Sequence, residues 1–350
     1  MVQIRVTPKT RNPFTIKALS ISGVTWKWHF LNHALRDVVA AIGVVLVRHQ
    51  VPRKKKWKGS LPCLWLPLAL RSAPTPIDVA RRPRDEWIID FTGLSQAEAA
   101  YFAAPYAHVV EHVKPLRDTN NDRQRRERWW LFGRSGSDLR KALSKVERYV
   151  VTPEVSKHRI FAWLSKPVLP DCQLMVVTRE DDTTFGVLQS RFHELWALRL
   201  GSSLEDRPRY TPSTTFETFP FPPGLTPNCP AMSYANDPRA QAIAQAAKAL
   251  VTARDRWLNP PELVISTPEI VPGFPERLIP RDVSAAVTLR SRTLTALYNQ
   301  RGTPEGAWLD SLHRTLDEAV AAAYSWPANL PDDDLLTRLL ALNFTSGSVL

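Results

Sequence analysis

Glycine is scarce: thirteen in 350 residues, with no Gly-x-Gly, no Gly-Lys-Ser/Thr and no Gly-x-Ser-x-Gly among them. Backbone that closely approaches a phosphate or nucleotide usually needs such a turn, so cofactor loops, P-loops and hydrolase elbows have no support in this chain. Cysteine is scarcer still. Cys63, Cys172 and Cys229 are odd in number and far apart, which excludes a disulfide framework and a cysteine-built metal site, and reads Cys172 and Cys229 as small buried apolar residues. Long hydrophobic runs are also missing. The longest, Val38 to Val47, lies between Asp37 and Arg48 and is about half the ~20 residues that a membrane crossing needs. No secretion signal is visible at the start, so no membrane partner and a cytoplasmic location are expected. The metal-nuclease ending Asp/Glu-x-Lys does not occur either.

What the chain does carry is positive charge, +12 in total, unevenly spread. Residues 1–60 hold twelve Lys/Arg against one acid, residues 114–159 thirteen against six, and residues 160–350 seventeen against twenty-one. The first 76 residues show no clean period. They read as an irregular basic leader, either poorly ordered or a tail that touches phosphates, a membrane or RNA.

From Ile77 the texture is globular. Glu86-Trp-Ile-Ile-Asp-Phe91 suits a strand, Ser95 and Glu98 suit a capping box, and a basic helix is expected over 121–132. Tyr149–Thr152 and Leu174–Thr178 read as buried strands, and 185–200 as an amphipathic helix stopped by Gly201. The prolines and aromatics of 207–230 predict an extended strap across the core. Asp237 and Pro238 open a helix with Ile243, Ala247, Leu250 and Trp257 on one face, and helical periods continue over 282–299, 305–324 and 332–343. The expected class is therefore α+β: a leader (1–76), a mixed α/β domain (77–230) and an all-α C-terminal domain (231–350).

His29/His33 and His108/His112 each have the four-residue spacing of a helical metal pair, but neither has an evident third ligand, and ordinary histidines account for both. Asn259-Pro260-Pro261 matches the first three residues of the catalytic Asn-Pro-Pro-aromatic loop of amino-DNA methyltransferases. Glu262 stands where the aromatic is needed, and a helix precedes it, so the tripeptide reads as a helix stop. The strongest chemical signal is Arg123-Gln-Arg125-Arg126-Glu-Arg128-Trp129-Trp130, supported by Lys157-His158-Arg159. Guanidinium groups grip phosphates and interleaved aromatics stack on bases, although a solvated helix face with inward tryptophans gives the same pattern. Arg125, Arg126, Arg128, Lys157 and Arg159 are the candidate DNA contacts; Thr183, Thr184, Ser190 and Arg191 are secondary ones.

Several stretches together, Asp85-Glu-Trp-Ile-Ile-Asp-Phe91, Val113-Lys-Pro-Leu-Arg117, Arg126-Glu-Arg-Trp-Trp130, Val155-Ser-Lys-His158, Leu188-Gln-Ser-Arg-Phe-His-Glu-Leu-Trp196 and Phe216-Glu-Thr-Phe-Pro-Phe-Pro222, resemble the C-terminal half of the MmeI-like DNA methyltransferases. The resemblance covers about 77–345. It implies a target-recognition domain followed by a helical domain, with double-stranded DNA as ligand. It also implies an S-adenosylmethionine-binding catalytic domain that methylates the N6 of adenine taken out of the helical stack. Neither the cofactor loop nor the catalytic motif is recognisable here, so the chain is expected to hold no cofactor or metal, to be inactive alone and to be a truncated form. The alternative is a non-enzymatic module that docks a separate methyltransferase or restriction subunit.

Overall fold

The computed structural model describes residues 69–347, except 85, 205, 206 and 270–272, together with the short strands Ser20–Ile21, Val24–Thr25 and Leu46–Arg48. The rest of the leader, including His29, His33 and Cys63, lies outside the described residues.

Glu86–Ile89 forms as expected and is the middle of a small antiparallel sheet, flanked by Leu46–Arg48 and Leu70–Ser72. Ser95 caps the next helix, Gln96–Ala100: its hydroxyl accepts from the Glu98 amide, and the Glu98 carboxylate accepts from the Ser95 amide at 2.7 Å. Helices Ala103–His112 and Lys114–Asp118 follow, and Ile89, Phe91, Val109, Val113 and Trp129 close a first small core.

Arg148–Pro153 is the middle of a second antiparallel sheet, between Ala162–Ser165 and Leu174–Val177. Side chains alternate across a strand. Tyr149 and Val151 accordingly meet Val79, Leu143 and Leu174, while Val150 points into the main core with Phe161 and Phe185. That core is built from the helices Asp182–Gln189 and Arg191–Leu200, the strap residues Phe219, Phe221 and Leu225, the long helix Pro238–Leu258 and the helix Ala307–Ala323. It continues without a break across position 230 as far as Leu335 and Leu339 on the last helix, Asp332–Gly347. Gly186 is where three helices converge: a Cβ there would lie 2.6 Å from Ile243, 3.1 Å from Leu316 and 3.2 Å from Ala247.

The α+β class holds, with differences in detail: the stretch 207–230, expected to be extended throughout, includes the short helix Pro212–Thr215, and the helix expected over 282–299 is divided at Arg292 into Val283–Ser291 and Leu294–Tyr298. The helix expected over 185–200 is broken at Ser190, which is extended (ψ 160°) and donates its hydroxyl to Val187 O. The second half restarts with the Arg191 amide on Asp317 Oδ1 at 2.7 Å. The helical third contains one hairpin, Val264–Thr267 with Arg277–Pro280, starting just beyond the Asn259-Pro260-Pro261 stop. The basic helix expected over 121–132 is only Arg123–Glu127. Cys172 is exposed rather than buried, in the turn before Leu174–Val177, whereas Cys229 is half-buried against the core.

Candidate nucleic-acid interface

The basic helix is short because its tryptophans pull the chain inward. Asp122 starts it by accepting from the amides of Gln124 (2.9 Å) and Arg125 (3.3 Å). Trp129 is buried against Tyr106, with ring centroids 5.6 Å apart, and Trp130 donates its indole N–H to Leu94 O at 3.0 Å. The aromatics are thus structural anchors, and the arginines before them are held at the surface by a fixed base. Arg128, at the helix end, is exposed, as are Arg123, Arg134, Lys141 and Lys145. Arg125 lies 3.4 Å from Asp122, and Arg126 is half-buried with its guanidinium on Asn120 O at 2.6 Å. Arg117, from the same basic stretch, is buried beneath them.

Lys157 and Arg159 sit elsewhere, in the loop after the strand Arg148–Pro153, and their fates differ. Arg159 is a correction to the sequence reading. Only 4% of it is exposed; its guanidinium donates to Thr152 Oγ1 (3.0 Å), Pro153 O (2.5 Å) and Pro208 O (3.2 Å) and lies 5.0 Å from the Tyr210 ring centroid. Burial lowers its pKa to about 10, which still leaves it charged at neutral pH. It pins the loop to the strap instead of facing a ligand. Lys157 is exposed, and its Nζ donates to Asn299 Oδ1 at 2.7 Å. His158, Tyr298, Arg301, Gly302 and Asp310 complete an open hollow of about 540 Å³ around it.

The secondary candidates are structural as well. The Thr183 hydroxyl donates to Ala240 O and that of Thr184 to Asp181, both buried; Ser190 is buried at the helix break, and Arg191 pairs with Asp332. His108 and His112 do share a helix face, with ring centroids 4.4 Å apart, and burial followed by the neighbouring His112 lowers the His108 pKa. No group of three metal-ligating side chains occurs among the described residues. The described residues do not form the parallel-strand frame on which dinucleotide-type folds hold S-adenosylmethionine. A dinucleotide-type fold presents its cofactor at the ends of parallel strands, and every strand pair among the described residues is antiparallel.

Asn259-Pro260-Pro261 ends the long helix. The Asn259 amide closes on Asp255 O at 2.8 Å, and Arg82 donates to Asn259 Oδ1 (2.5 Å), to Leu258 O and to Leu289 O (3.0 Å). An asparagine whose side-chain oxygen is held by a guanidinium is not free to position a base. Sequence reasoning missed one polar centre in the core. Arg254, 3% exposed, donates to Phe161 O (2.8 Å), Gln189 Oε1 (3.1 Å) and the Tyr298 hydroxyl (3.2 Å). Its place was visible as the next member of the apolar stripe Ile243, Ala247, Leu250.

Residues 87–223 match the family model for the MmeI target recognition domain. A solved structure of the Type IIL restriction-modification enzyme MmeI in complex with DNA is similar over 80% of this chain, at TM-score 0.56 and 19% identity. The chain spans 31% of the length of that protein. No curated protein sequence matches significantly. Among the described residues no helix is long and apolar enough to cross a membrane.

Proposed function

We propose, from the match of residues 87–223 to the MmeI target recognition domain model, that this chain binds duplex DNA at a defined sequence, as the recognition part of a restriction-modification system that methylates adenine N6 with S-adenosylmethionine. The observation that carries the reading is the basic surface anchored on Trp129 and Trp130, inside the matched segment. Arg128 stands exposed on this anchored base, with the half-buried Arg125 and Arg126 beside it, the arrangement a phosphate-tracking surface needs. Lys157 forms a second contact. Arg159 acts through the loop it pins. Catalysis is left to another domain or subunit, because the sequence carries no recognisable cofactor loop and Glu262 stands where the catalytic aromatic is needed.

A gel-shift titration at low salt is expected to show salt-sensitive binding, and labelled S-adenosylmethionine no methyl transfer. Absence of any shift at low salt would end the first half of the proposal, and methyl transfer by the purified chain the second.

The alternative, a module that docks a methyltransferase or restriction subunit, is favoured by one observation. Ile265, Leu278, Val283 and Val287, on the hairpin and the helix Val283–Ser291, are exposed apolar residues close in sequence. Charge reversal at Arg125, Arg126 and Arg128 separates the two readings: it abolishes DNA binding under the first and leaves partner capture intact under the second.

A further inference from the structure

Lys157 and His158 present two side-chain nitrogens to a single oxygen. Lys157 Nζ lies 2.7 Å, and His158 Nε2 2.8 Å, from Asn299 Oδ1. Lys157 can only donate, so the shared atom is an acceptor, and an imidazole facing the same atom serves it with Nε2–H. Two convergent donors on one exposed oxygen are what a phosphate oxygen asks for. An ammonium binds the anionic oxygen of a phosphate more strongly than the neutral oxygen of an amide.

Both sides of this contact are held by their backbones. The loop carrying Lys157 and His158 is fixed by the bridge of Val155 to Arg209 and by the three hydrogen bonds of Arg159. Asn299 follows Tyr298, whose hydroxyl is held between Arg254 (3.2 Å) and His313 Nε2 (3.0 Å). Asn299 itself is exposed, so its side chain can turn away without moving the chain. The neighbouring acid Asp310 is engaged by Arg301 Nε at 3.1 Å and by the Gly302 amide at 2.7 Å, and Arg301 also faces Glu194 at 3.7 Å. Neither carboxylate stands in the hollow as an unpaired negative charge.

We propose that Lys157 and His158 form a clamp for a DNA backbone phosphate, that Asn299 Oδ1 occupies the phosphate-oxygen position in the DNA-free protein, and that DNA displaces it. The inference rests on the DNA-binding reading above and adds to it a competitor built into the helical part of the chain. Asn299 lowers affinity for any duplex and leaves sequence preference untouched, because a phosphate contact carries no base information.

The test is fluorescence anisotropy with the full chain and a labelled random-sequence duplex at several salt concentrations. Asn299→Ala frees both donors and is expected to bind about two- to tenfold more tightly, the worth of one hydrogen bond. Asn299→Asp, nearly isosteric, holds Lys157 harder and binds more weakly than wild type. Lys157→Ala lowers affinity and flattens the salt slope by about 0.9, one phosphate's share. The Lys157→Ala/His158→Ala/Asn299→Ala triple variant, with both donors gone, shows no gain over Lys157→Ala/His158→Ala. Wild-type affinity in Asn299→Ala, or a gain that persists with both Lys157 and His158 removed, would overturn the clamp while leaving DNA binding in place. If Asn299→Ala melts below wild type, Asn299→Asp decides: binding as tight as wild type overturns the clamp. Failure of the wild-type chain to bind any duplex overturns the parent reading, and the clamp with it.

Discussion

Arg254 offers the sharpest test of how the core is held. A guanidinium taken out of water costs several kcal/mol, which its hydrogen bonds must offset, and whether they do is a question of magnitudes. Here they number three, to Phe161 O, Gln189 Oε1 and the Tyr298 hydroxyl, while Nε has no partner. Bonds from a charged donor contribute about 1.5–3 kcal/mol each, so the sum roughly matches the desolvation penalty. Removal is therefore not neutral: it strands Phe161 O in a dry interior and opens a cavity. Arg254→Ala is expected to cost about 3–4 kcal/mol, from the cavity and the unmet carbonyl together. Arg254→Met fills most of the volume and removes the charge, leaving only the unmet acceptors, a loss of about 1–2 kcal/mol. Urea unfolding followed by tryptophan fluorescence, with an unchanged m value, reads both. If Arg254→Met equals or exceeds wild type in stability, the desolvation penalty outweighs the bonds and the reasoning fails.

Gly186→Ala puts a methyl 2.6 Å from Ile243 Cγ2. Overpacking of about 1–3 kcal/mol outweighs the ~1 kcal/mol gain in helix propensity, so Tm falls, and the same substitution costs less in an Ile243→Ala background, where the clashing methyl is gone. Asp317 has its pKa raised to about 6, chiefly by burial, against an ordinary value of 3.8. Its contribution to stability is full below pH 3.8 and lost as pH rises through 6, on the order of 2–3 kcal/mol. Asp317→Asn should be more stable than wild type at pH 8 and indistinguishable at pH 3.5, as read by urea midpoints. His193, buried against Tyr210 with its pKa lowered to about 3 by burial and then by Arg159, titrates with the opposite sign. It favours the fold above pH 6.5 and less and less as pH falls towards 3, and His193→Gln flattens that limb of the stability profile. Arg159→Ala should lower Tm and, by releasing the loop that carries Lys157, weaken DNA binding as well, whereas Arg128→Ala should flatten the salt slope and leave Tm unchanged.

Local rules carried the sequence reading where the chain obeys them locally. Ser95 with Glu98, Asp237 with Pro238, and the Asn259-Pro260-Pro261 stop are all settled by residues within a turn of one another, and each forms as its chemistry dictates. The periods misled where tertiary contacts override them. The stripe 185–200 is continuous in hydrophobicity, yet Ser190 breaks it because Asp317, 126 residues away, receives the next helix's first amide. The basic helix ends at Glu127 because Trp129 and Trp130 find partners in Tyr106 and Leu94. Charge alone could not distinguish Lys157 from Arg159. They are two residues apart, one exposed and one sealed under the strap, and only the fold tells which meets solvent.

The main core joins Val150 of a central strand to Leu339 of the last helix. A recombination event that swapped residues up to 230 for those of a relative would leave half an interior facing a stranger, with Gly186 opposite whatever replaced Ile243. Exchange of a whole unit is open only to the separately cored segment around Phe91 and Trp129. The helical third would travel with the second sheet as one heritable block.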